Sequence, residues 1–230
     1  MKLRNFILAL GAGIAAFSAQ SCMKDDQPSY VFPNAVVTVK PFNDQTFLLQ
    51  LDDSTTLKTT NLEKSPFGDK KVRALVCIDN EDLKTIINDK NRTSETKQYD
   101  VKICYIDSIH TKKISPNLGE QNVEKYGNDP LEILRSFETV VEDGYLTLRF
   151  RTYWGMKPHT FNLVADTTDP YKVTLYHNNN EEYTNMAGDG LVAFDLSSLP
   201  DTMGKEVDLT LAWQSFTGPK SVKFKYKTIK

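Results

Sequence analysis

Apolar and polar residues alternate strictly in the stretch Leu146-Thr147-Leu148-Arg149-Phe150-Arg151. Successive side chains of a β-strand point to opposite faces, so this alternation predicts a strand with one buried face and one solvated face. The stretch Val222-Lys223-Phe224-Lys225-Tyr226, close to the carboxyl end, repeats the pattern. Both stretches are typical of an antiparallel sheet that packs on a core with one side only.

Shorter stretches with the same alternation lie between these two. Their apolar residues are Val173 and Leu175, then Val192, Phe194 and Leu196, then Leu209, Leu211 and Trp213. Several short strands separated by turn signals predict a β-sandwich over residues 114–230. The final strand suits a sheet edge, because its lysines would discourage pairing with another chain.

The amino-terminal half is also rich in strand signals. Residues 35–39 and 46–51 flank a turn and predict a hairpin, and residues 71–79 predict a third strand. Residues 81–88 carry apolar side chains at helical spacing and predict one short helix, with Asn80 as its cap. A long strand is predicted over residues 99–110.

Within that long strand, Val101, Ile103 and Tyr105 are expected to share one face. The strand resembles the closing strand of a small barrel. The sequence therefore predicts an all-β chain with two domains of different architecture.

The amino terminus carries a different signal. Lys2 and Arg4 precede an apolar run at residues 6–17, and small residues lead into Cys22. As a helix this run would rise only about 18 Å, which is too short for a hydrocarbon core of about 30 Å. The pattern predicts a lipoprotein signal peptide at residues 1–21.

Cys22 is the predicted lipidation site, and residues 22–33 are the predicted tether. Several acyl chains at one amino terminus give effectively permanent anchoring, so the membrane is the expected first partner. Ordinary secretion with a free thiol at Cys22 is the alternative. The stretch Lys24-Asp25-Asp26 resembles an acidic signal that displays some outer-membrane lipoproteins on the cell surface, and a plain solvated tether is the other interpretation.

The charge of the chain argues against one class of partner. The net charge is −2, and removal of residues 1–21 takes away Lys2 and Arg4, which leaves about −4. A weakly acidic chain lacks the electrostatic footprint of a nucleic-acid-binding protein. We therefore expect no nucleic-acid partner.

Two cysteines remain after Cys22. Cys77 and Cys104 both lie in strand-like stretches, and in an exported protein they could form a disulfide. Each could equally be a small buried apolar residue. Spacing along the sequence does not decide between these two interpretations.

Motifs of catalysis are absent from the sequence. The histidines, His110, His159 and His177, have no zinc-binding spacing, and no phosphate-binding or dinucleotide-binding loop occurs. The carboxylate pairs Asp52-Asp53 and Glu181-Glu182 are adjacent residues, which point to opposite faces of a strand and are typical of solvated loops. The sequence predicts no catalytic residue, no metal ligand and no cofactor.

One cluster of aromatic and cationic residues could bind a sugar or a peptide. It consists of Arg149, Arg151, Tyr153, Trp154 and His159. Core packing of Trp154, with the arginines on the solvated face, is the alternative interpretation.

Several segments together resemble the NigD-like lipoprotein family. They are the lipid-type Cys22, residues 47–57, 71–76, 99–102 and 107–109, and Asp195-Leu196. The resemblance implies an OB-type small barrel over residues 34–113, followed by an antiparallel β-sandwich over residues 114–230. The family has no established catalytic residues, and its name comes from a bacteriocin-associated operon in which an immunity role was suggested.

Two hypotheses about function follow. The first is a non-enzymatic envelope lipoprotein of the outer membrane that binds a protein, peptide or glycan and has an immunity-like role against a bacteriocin. The second is an envelope protein that binds or hydrolyses glycans, with Asp52, Asp53, Glu181 or Glu182 as acids. Hydrolysis requires two carboxylates about 5–10 Å apart in one cleft.

Overall fold

The computed structural model describes residues 32–43, 46–91, 95–182 and 184–229. The expected signal peptide, Cys22 and residues 23–31 of the expected tether lie outside these ranges. Within them the chain forms fifteen β-strands, two α-helices and one short 3-10 helix, so the all-β fold class is confirmed. No helix in the described part of the chain is long and apolar enough to cross a bilayer.

The first domain is built on one six-stranded sheet. Its strands are β1 (Ala35–Asn43), β2 (Thr46–Gln50), β3 (Thr55–Thr59), β4 (Val72–Ile78), β5 (Lys97–Val101) and β6 (Ile103–Ser108). Their order across the sheet is β5-β3-β2-β1-β4-β6. The predicted hairpin is confirmed, because β1 and β2 pair antiparallel.

One stretch of chain curves this sheet into the OB-type small barrel. It consists of β5 and β6, separated only by Lys102. β5 pairs parallel with β3 and β6 pairs antiparallel with β4, so the same stretch joins both ends of the strand order. The inside of the barrel is filled by fully buried apolar side chains, among them Val37, Val39, Leu49, Leu57, Val76 and Val101.

A β-bulge corrects the predicted alternation of the closing strand. Cys77 lies opposite Tyr105 and Ile78 lies opposite Ile103, so Cys104 is an extra residue on β6. An extra residue shifts the side chains that follow it to the other face. Ile103 is therefore buried whereas Tyr105 is 40% exposed, and the expectation that Tyr105 shares the inner face was wrong.

Helix α1 (Asn80–Asn88) lies where a helix was predicted, but its cap differs. The Asp79 carboxylate accepts a hydrogen bond from the Glu81 backbone N–H at 3.0 Å. Asp79 is thus the residue before the first turn, and Asn80 already belongs to the helix. The prediction of Asn80 as the cap was wrong by one position.

The second domain is a β-sandwich of two sheets. One sheet contains β7 (Thr111–Lys113), β8 (Glu132–Ile133), β9 (Val140–Glu142), β10 (Tyr145–Tyr153) and β13 (Ala187–Asp195). The other contains β11 (Thr160–Ala165), β12 (Lys172–Asn178), β14 (Val207–Ser215) and β15 (Gly218–Tyr226). The predicted buried face of β10 is confirmed, because Leu146, Leu148 and Phe150 lie in the core between the sheets. The opposite face is not solvated throughout, because Thr147 is fully buried where it accepts from Arg73.

The sandwich departs from the prediction in two respects. Most strand pairs are antiparallel, but β12 pairs parallel with β14 and β7 pairs parallel with β13. β12 and β14 are parallel neighbours because β13 crosses to the other sheet between them. A second helix, α2 (Asn122–Tyr126), also forms where none was predicted, and its Tyr126 is buried.

Arg73 connects the two domains. Its side chain is fully buried and donates to the Thr38 hydroxyl within the barrel and to the Thr147 hydroxyl of the sandwich, both at 3.1 Å. Its third nitrogen lies 3.6 Å from the Glu142 carboxylate. Nearby, the Lys40 ammonium binds Asp143 at 2.6 Å.

The interface removes Arg73 fully and Glu142 partly from water, and the pKa values of these two groups respond. Burial raises the pKa of the Glu142 carboxyl to about 7, although the Arg73 guanidinium acts in the opposite direction. Burial also lowers the pKa of Arg73. A small apolar contact formed by Val36, Ile109 and Ala193 completes the junction.

Candidate functional site

A groove of about 710 Å³ lies along the side of the sandwich where the two sheets end on β8 and β15. Its walls are side chains of both edge strands, of the loop between β8 and β9, and of Trp213 in β14. Pockets for small ligands typically have volumes of about 300–1,000 Å³. The groove therefore has the size of a ligand site.

Backbone hydrogen bonds hold the loop that forms one wall. The Leu134 N–H donates to the Arg149 carbonyl at 2.9 Å. The Thr139 hydroxyl donates to the Leu134 carbonyl at 2.7 Å and accepts from the Arg149 N–H at 3.1 Å. Arg135 and Ser136 project from this fixed loop into the lining of the groove.

The alternation of β15 supplies the opposite wall. Val222 and Phe224 are half-buried and pack against the sandwich core, so they form the apolar part of the groove. Lys220 lies opposite Trp213 in the strand register. Its ammonium binds both oxygens of the Glu132 carboxylate, at 2.9 and 3.0 Å, which links the two edge strands.

Three polar groups in the lining have no hydrogen-bond partner within the described ranges. Two of them, the indole Nε1 of Trp213 and the Ser136 hydroxyl, are buried. The third, the Arg135 guanidinium, belongs to an exposed side chain and is open to solvent. Trp213 is only 8% exposed, and a buried N–H without a partner costs about 1–3 kcal/mol. A ligand that supplied oxygen acceptors would remove this cost.

The arginines of the predicted aromatic and cationic cluster form ion pairs with acidic residues of the protein. Arg149 binds Asp189 at 2.8 Å and Glu138 at 3.1 Å, and Arg151 binds Asp189 at 2.6 Å. They lie on the solvated face of β10, as the alternation predicts. Their charges are neutralised by these acids, so they offer less to a ligand than Arg135 does.

The aromatic members of that cluster form a packed corner. The Trp154 indole stacks on His159 with ring centroids 4.7 Å apart and donates to the Gly188 carbonyl at 2.9 Å. His159 Nδ1 lies 3.0 Å from His177 Nε2. His177 is stacked on Phe161 and is 2% exposed. These contacts agree with the alternative interpretation, in which Trp154 packs against other residues of the protein.

The hydrogen bonds assign the protons of the two histidines. His177 Nδ1–H donates to the Asp129 carbonyl at 3.2 Å, so its Nε2 is the acceptor for His159 Nδ1–H. Burial, and then the nearby His159, lower the pKa of His177 to about 4. His177 is therefore neutral in the folded protein at neutral pH.

This lowered pKa predicts a loss of stability in acid. The unfolded chain binds a proton at His177 near pH 6.5, whereas the folded chain resists it down to about pH 4. The free energy of unfolding should therefore fall by about 2–3 kcal/mol as the pH drops through this window. Denaturant unfolding of H177Q should show a weaker pH dependence, and H110Q, at an exposed site, should match the wild type. Equal pH dependence in all three would contradict the assignment.

The acids of the hydrolase hypothesis are not brought together as a pair. Asp52 accepts hydrogen bonds from the backbone N–H groups of Ser54 and Thr55 at 2.9 and 2.8 Å, within a loop of the barrel. Glu182 binds the N–H groups of Met156 and Lys157 in a loop of the sandwich. Asp52 and Glu182 thus each hold their own turn, whereas Asp53 accepts from the Asp143 N–H at 3.3 Å at the junction of the two domains.

Cys77 and Cys104 lie together at the β-bulge. Both are free thiols in this structure, with Cys77 half-buried and Cys104 exposed. In a bulge two residues oppose one, so Cys104 and Tyr105 both face Cys77 across the strand pair. Burial, and then the neighbouring Cys104 thiol, raise the pKa of Cys77. The disulfide itself stays a prediction.

A Cys77–Cys104 disulfide stays a prediction for an oxidising compartment, because the bulge places both residues on adjacent paired strands. Alkylation without reductant, followed by peptide mass spectrometry, should find neither residue modified. In the C104S variant Cys77 should become alkylated. Complete alkylation of both residues in the wild type would contradict the pairing.

The sequence matches two family models. They are the NigD-like N-terminal OB domain, over residues 36–109, and the NigD-like C-terminal beta sandwich domain, over residues 113–226. The chain belongs to the NigD-like family. Its order of barrel and sandwich is thus that of the NigD-like domains.

Solved structures share this NigD-like architecture. A provisionally named toxin-related protein from Parabacteroides distasonis is 34% identical with a TM-score of 0.66, over 84% of this chain and 92% of that one. A protein described as a NigD-like immunity protein from Bacteroides caccae is 16% identical with a TM-score of 0.58, over 85% and 97% of the two chains. At that identity the likeness shows the fold alone. No curated protein matches the chain.

Sequence reasoning missed the groove. Trp213 was recognised as an inward residue of its strand, and Lys220 and Arg135 carried no signal of their own. The register that sets Lys220 opposite Trp213, and the approach of β8 to β15, are properties of the folded sandwich.

Proposed function

We propose that this chain is a lipid-anchored protein of the outer membrane, without catalytic activity, that binds a partner molecule and gives immunity-like protection against a bacteriocin. The groove carries the binding part of this proposal. It combines an apolar wall with two buried unpartnered polar atoms, Trp213 Nε1 and Ser136 Oγ, and the exposed Arg135 guanidinium, which is the composition of a recognition site.

The arrangement of the carboxylates supports a non-enzymatic role. Asp52 and Glu182, from the two candidate acid pairs, are each bound to the backbone of a different loop. Glycoside hydrolysis needs an acid and a second carboxylate across one scissile bond. Hydrolysis by an acid from each of these two pairs therefore lacks support, whereas glycan binding remains compatible with the groove.

The anchoring part of the proposal rests on the sequence of residues 1–22. A basic start, a short apolar run and Cys22 favour lipid attachment in the cell envelope. A structurally similar protein from Bacteroides fragilis, 16% identical with a TM-score of 0.50 over 85% of this chain and 98% of that one, is provisionally named a lipoprotein. The similar fold is consistent with the proposed location of this chain in the cell envelope.

Mass spectrometry of the mature amino terminus tests the anchor. We expect a chain that begins at Cys22 and carries a diacylglycerol and an acyl group, recovered with outer membranes. The C22A variant should lose the lipid and leave the membrane fraction. An unmodified thiol at Cys22 in the wild type would contradict anchoring. Protease treatment of intact cells then distinguishes the cell surface from the periplasmic face.

Deletion of the gene in a bacteriocin-producing strain tests the role. We expect the deletion strain to become sensitive to its own bacteriocin and the wild-type gene to restore resistance. Complementation with C22A should fail if protection requires the envelope location. A deletion strain that stays fully resistant would refute the immunity-like role.

A further inference from the structure

The groove offers hydrogen-bond donors and a positive charge. Trp213 Nε1–H and the Arg135 guanidinium can only donate, and the Ser136 hydroxyl can donate as well. The carboxylate of the lining, Glu132, is already bound to Lys220 at 2.9 and 3.0 Å. A ligand that satisfies these groups must present several oxygen acceptors.

The charges in the lining favour an anion. Glu132 and Lys220 neutralise one another, which leaves Arg135 as a cation without a partner among the described residues. This local positive charge occurs on a chain whose net charge is −2. A guanidinium recognises a carboxylate through two parallel hydrogen bonds, so a carboxylate is the anionic group that suits Arg135.

The apolar wall indicates what carries that carboxylate. Ile133, Val222 and Phe224 line the same groove as the three polar groups. A pyranose ring presents C–H surface on its faces and oxygens around its edge. It can therefore contact the apolar wall while its oxygens accept from Trp213 and Ser136.

A peptide that pairs with the sheet edge as an added strand is a less suitable ligand for the groove than a saccharide. β15 is the edge of its sheet, and Lys220, Lys223 and Lys225 project from it, with side chains 43%, 67% and 70% exposed. Charged edges oppose pairing with another strand. The opposite edge, β8, has only two residues and is tied to β15 through the ion pair of Glu132 and Lys220.

We propose that the groove binds a carboxylated saccharide of the uronic-acid class, with Arg135 pairing its carboxylate and Trp213 Nε1 and Ser136 Oγ binding ring or hydroxyl oxygens. This inference rests on the proposed function as a binding protein and names the ligand class for the same groove. Its failure in a binding experiment would leave the immunity assay unaffected, so the two proposals are refuted by different results.

Calorimetric titration of the mature protein, purified in detergent micelles, tests the ligand class. The probes are trigalacturonate, its neutral counterpart galactotriose, and tetraglutamate as an acidic peptide. We expect trigalacturonate to bind, and the other two to bind at least about tenfold more weakly, because each lacks either the carboxylates or the sugar rings. Equal affinity for the neutral sugar or for the acidic peptide would overturn the assignment, as would no binding of trigalacturonate.

Variants of the groove test the residue roles. R135Q should weaken trigalacturonate binding about tenfold or more, because a charge-assisted pair is lost. S136A and W213F should each weaken it by about threefold to tenfold. R151Q, on the solvated face of β10, is the matched control and should bind within about twofold of the wild type.

A spectroscopic signal separates contact from indirect effects. The Trp213 indole N–H resonance should shift during titration with trigalacturonate and should be absent in W213F, while the Trp154 indole resonance stays in place because that N–H already donates to Gly188. Thermal unfolding should show R135Q and S136A to be folded like the wild type. Unchanged affinity in folded R135Q would refute the proposal.

Discussion

Replacement of Arg73 by alanine is expected to lower the free energy of unfolding by about 3–5 kcal/mol. The side chain is fully buried between the two domains, where it donates to the hydroxyls of Thr38 and Thr147. Its removal leaves a cavity, two hydroxyls without their donor and the Glu142 carboxylate without its nearest cation. Urea unfolding at pH 7 measures the loss.

The matched control for Arg73 is R151A. Arg151 also pairs with an acid, Asp189, but its side chain is 55% exposed. Exposed ion pairs contribute about 0–1 kcal/mol, so R151A should unfold close to the wild type. If R73A were no more destabilising than R151A, the Arg73 contacts would not be what holds the barrel and sandwich together.

Replacement of Gly127 by alanine is expected to destabilise the protein by about 2–6 kcal/mol. Gly127 ends helix α2 with φ = 80° and ψ = 174°, a region that essentially only glycine occupies and where an L-residue is strained by about 1–3 kcal/mol. An added Cβ would also lie 2.5 Å from the His177 carbonyl oxygen and 2.6 Å from the Asn178 Cβ, and such overpacking costs about 1–3 kcal/mol. Thermal and urea unfolding of G127A measure the sum.

Gly119 provides the control that separates these two effects. It has φ = 62°, and an added Cβ would meet nothing within 4 Å. G119A should therefore show only the backbone strain, about 1–2 kcal/mol. Equal losses of stability in G119A and G127A would mean that the turn before β8 moves away from β12, so that the added Cβ causes no overpacking.

The strands were predictable because their buried faces leave a local pattern. In β10 and β15 each apolar residue is followed by a polar one, and the structure places the apolar set against the core. The pattern failed at Tyr105, because strict alternation does not predict the extra residue Cys104 in the bulge. It also did not predict α2, a five-residue helix that is held by packing of Tyr126 on the sandwich.

The groove was not predictable for a different reason. Its walls come from segments about 80 residues apart in sequence, residues 132–139 and 213–224. Periodicity reports which face of a strand is buried but not which strands lie at the edges of a sheet, nor which edges meet. The same limit applies to His159 and His177, which have no metal-type spacing in sequence yet share a hydrogen bond at 3.0 Å.

Arg149 and Trp154 show how closeness in sequence can mislead about function. Arg149 and Arg151 lie on the solvated face of β10 with Asp189, whereas Trp154 and His159 pack together on Phe161. The structure gives each of them a partner within the protein, Asp189 for both arginines and Gly188 for the indole. Polar groups that lack such partners, as in the groove, are a better guide to a binding site.

A killing assay with groove variants asks whether the groove performs the protective role. The deletion strain would carry either the wild-type gene, the double variant R135Q/S136A or the control R151Q, each confirmed at equal amounts in the envelope. We expect wild type and R151Q to restore resistance to the bacteriocin, whereas R135Q/S136A should leave the cells as sensitive as the deletion strain. Full resistance with R135Q/S136A would contradict that role of the groove.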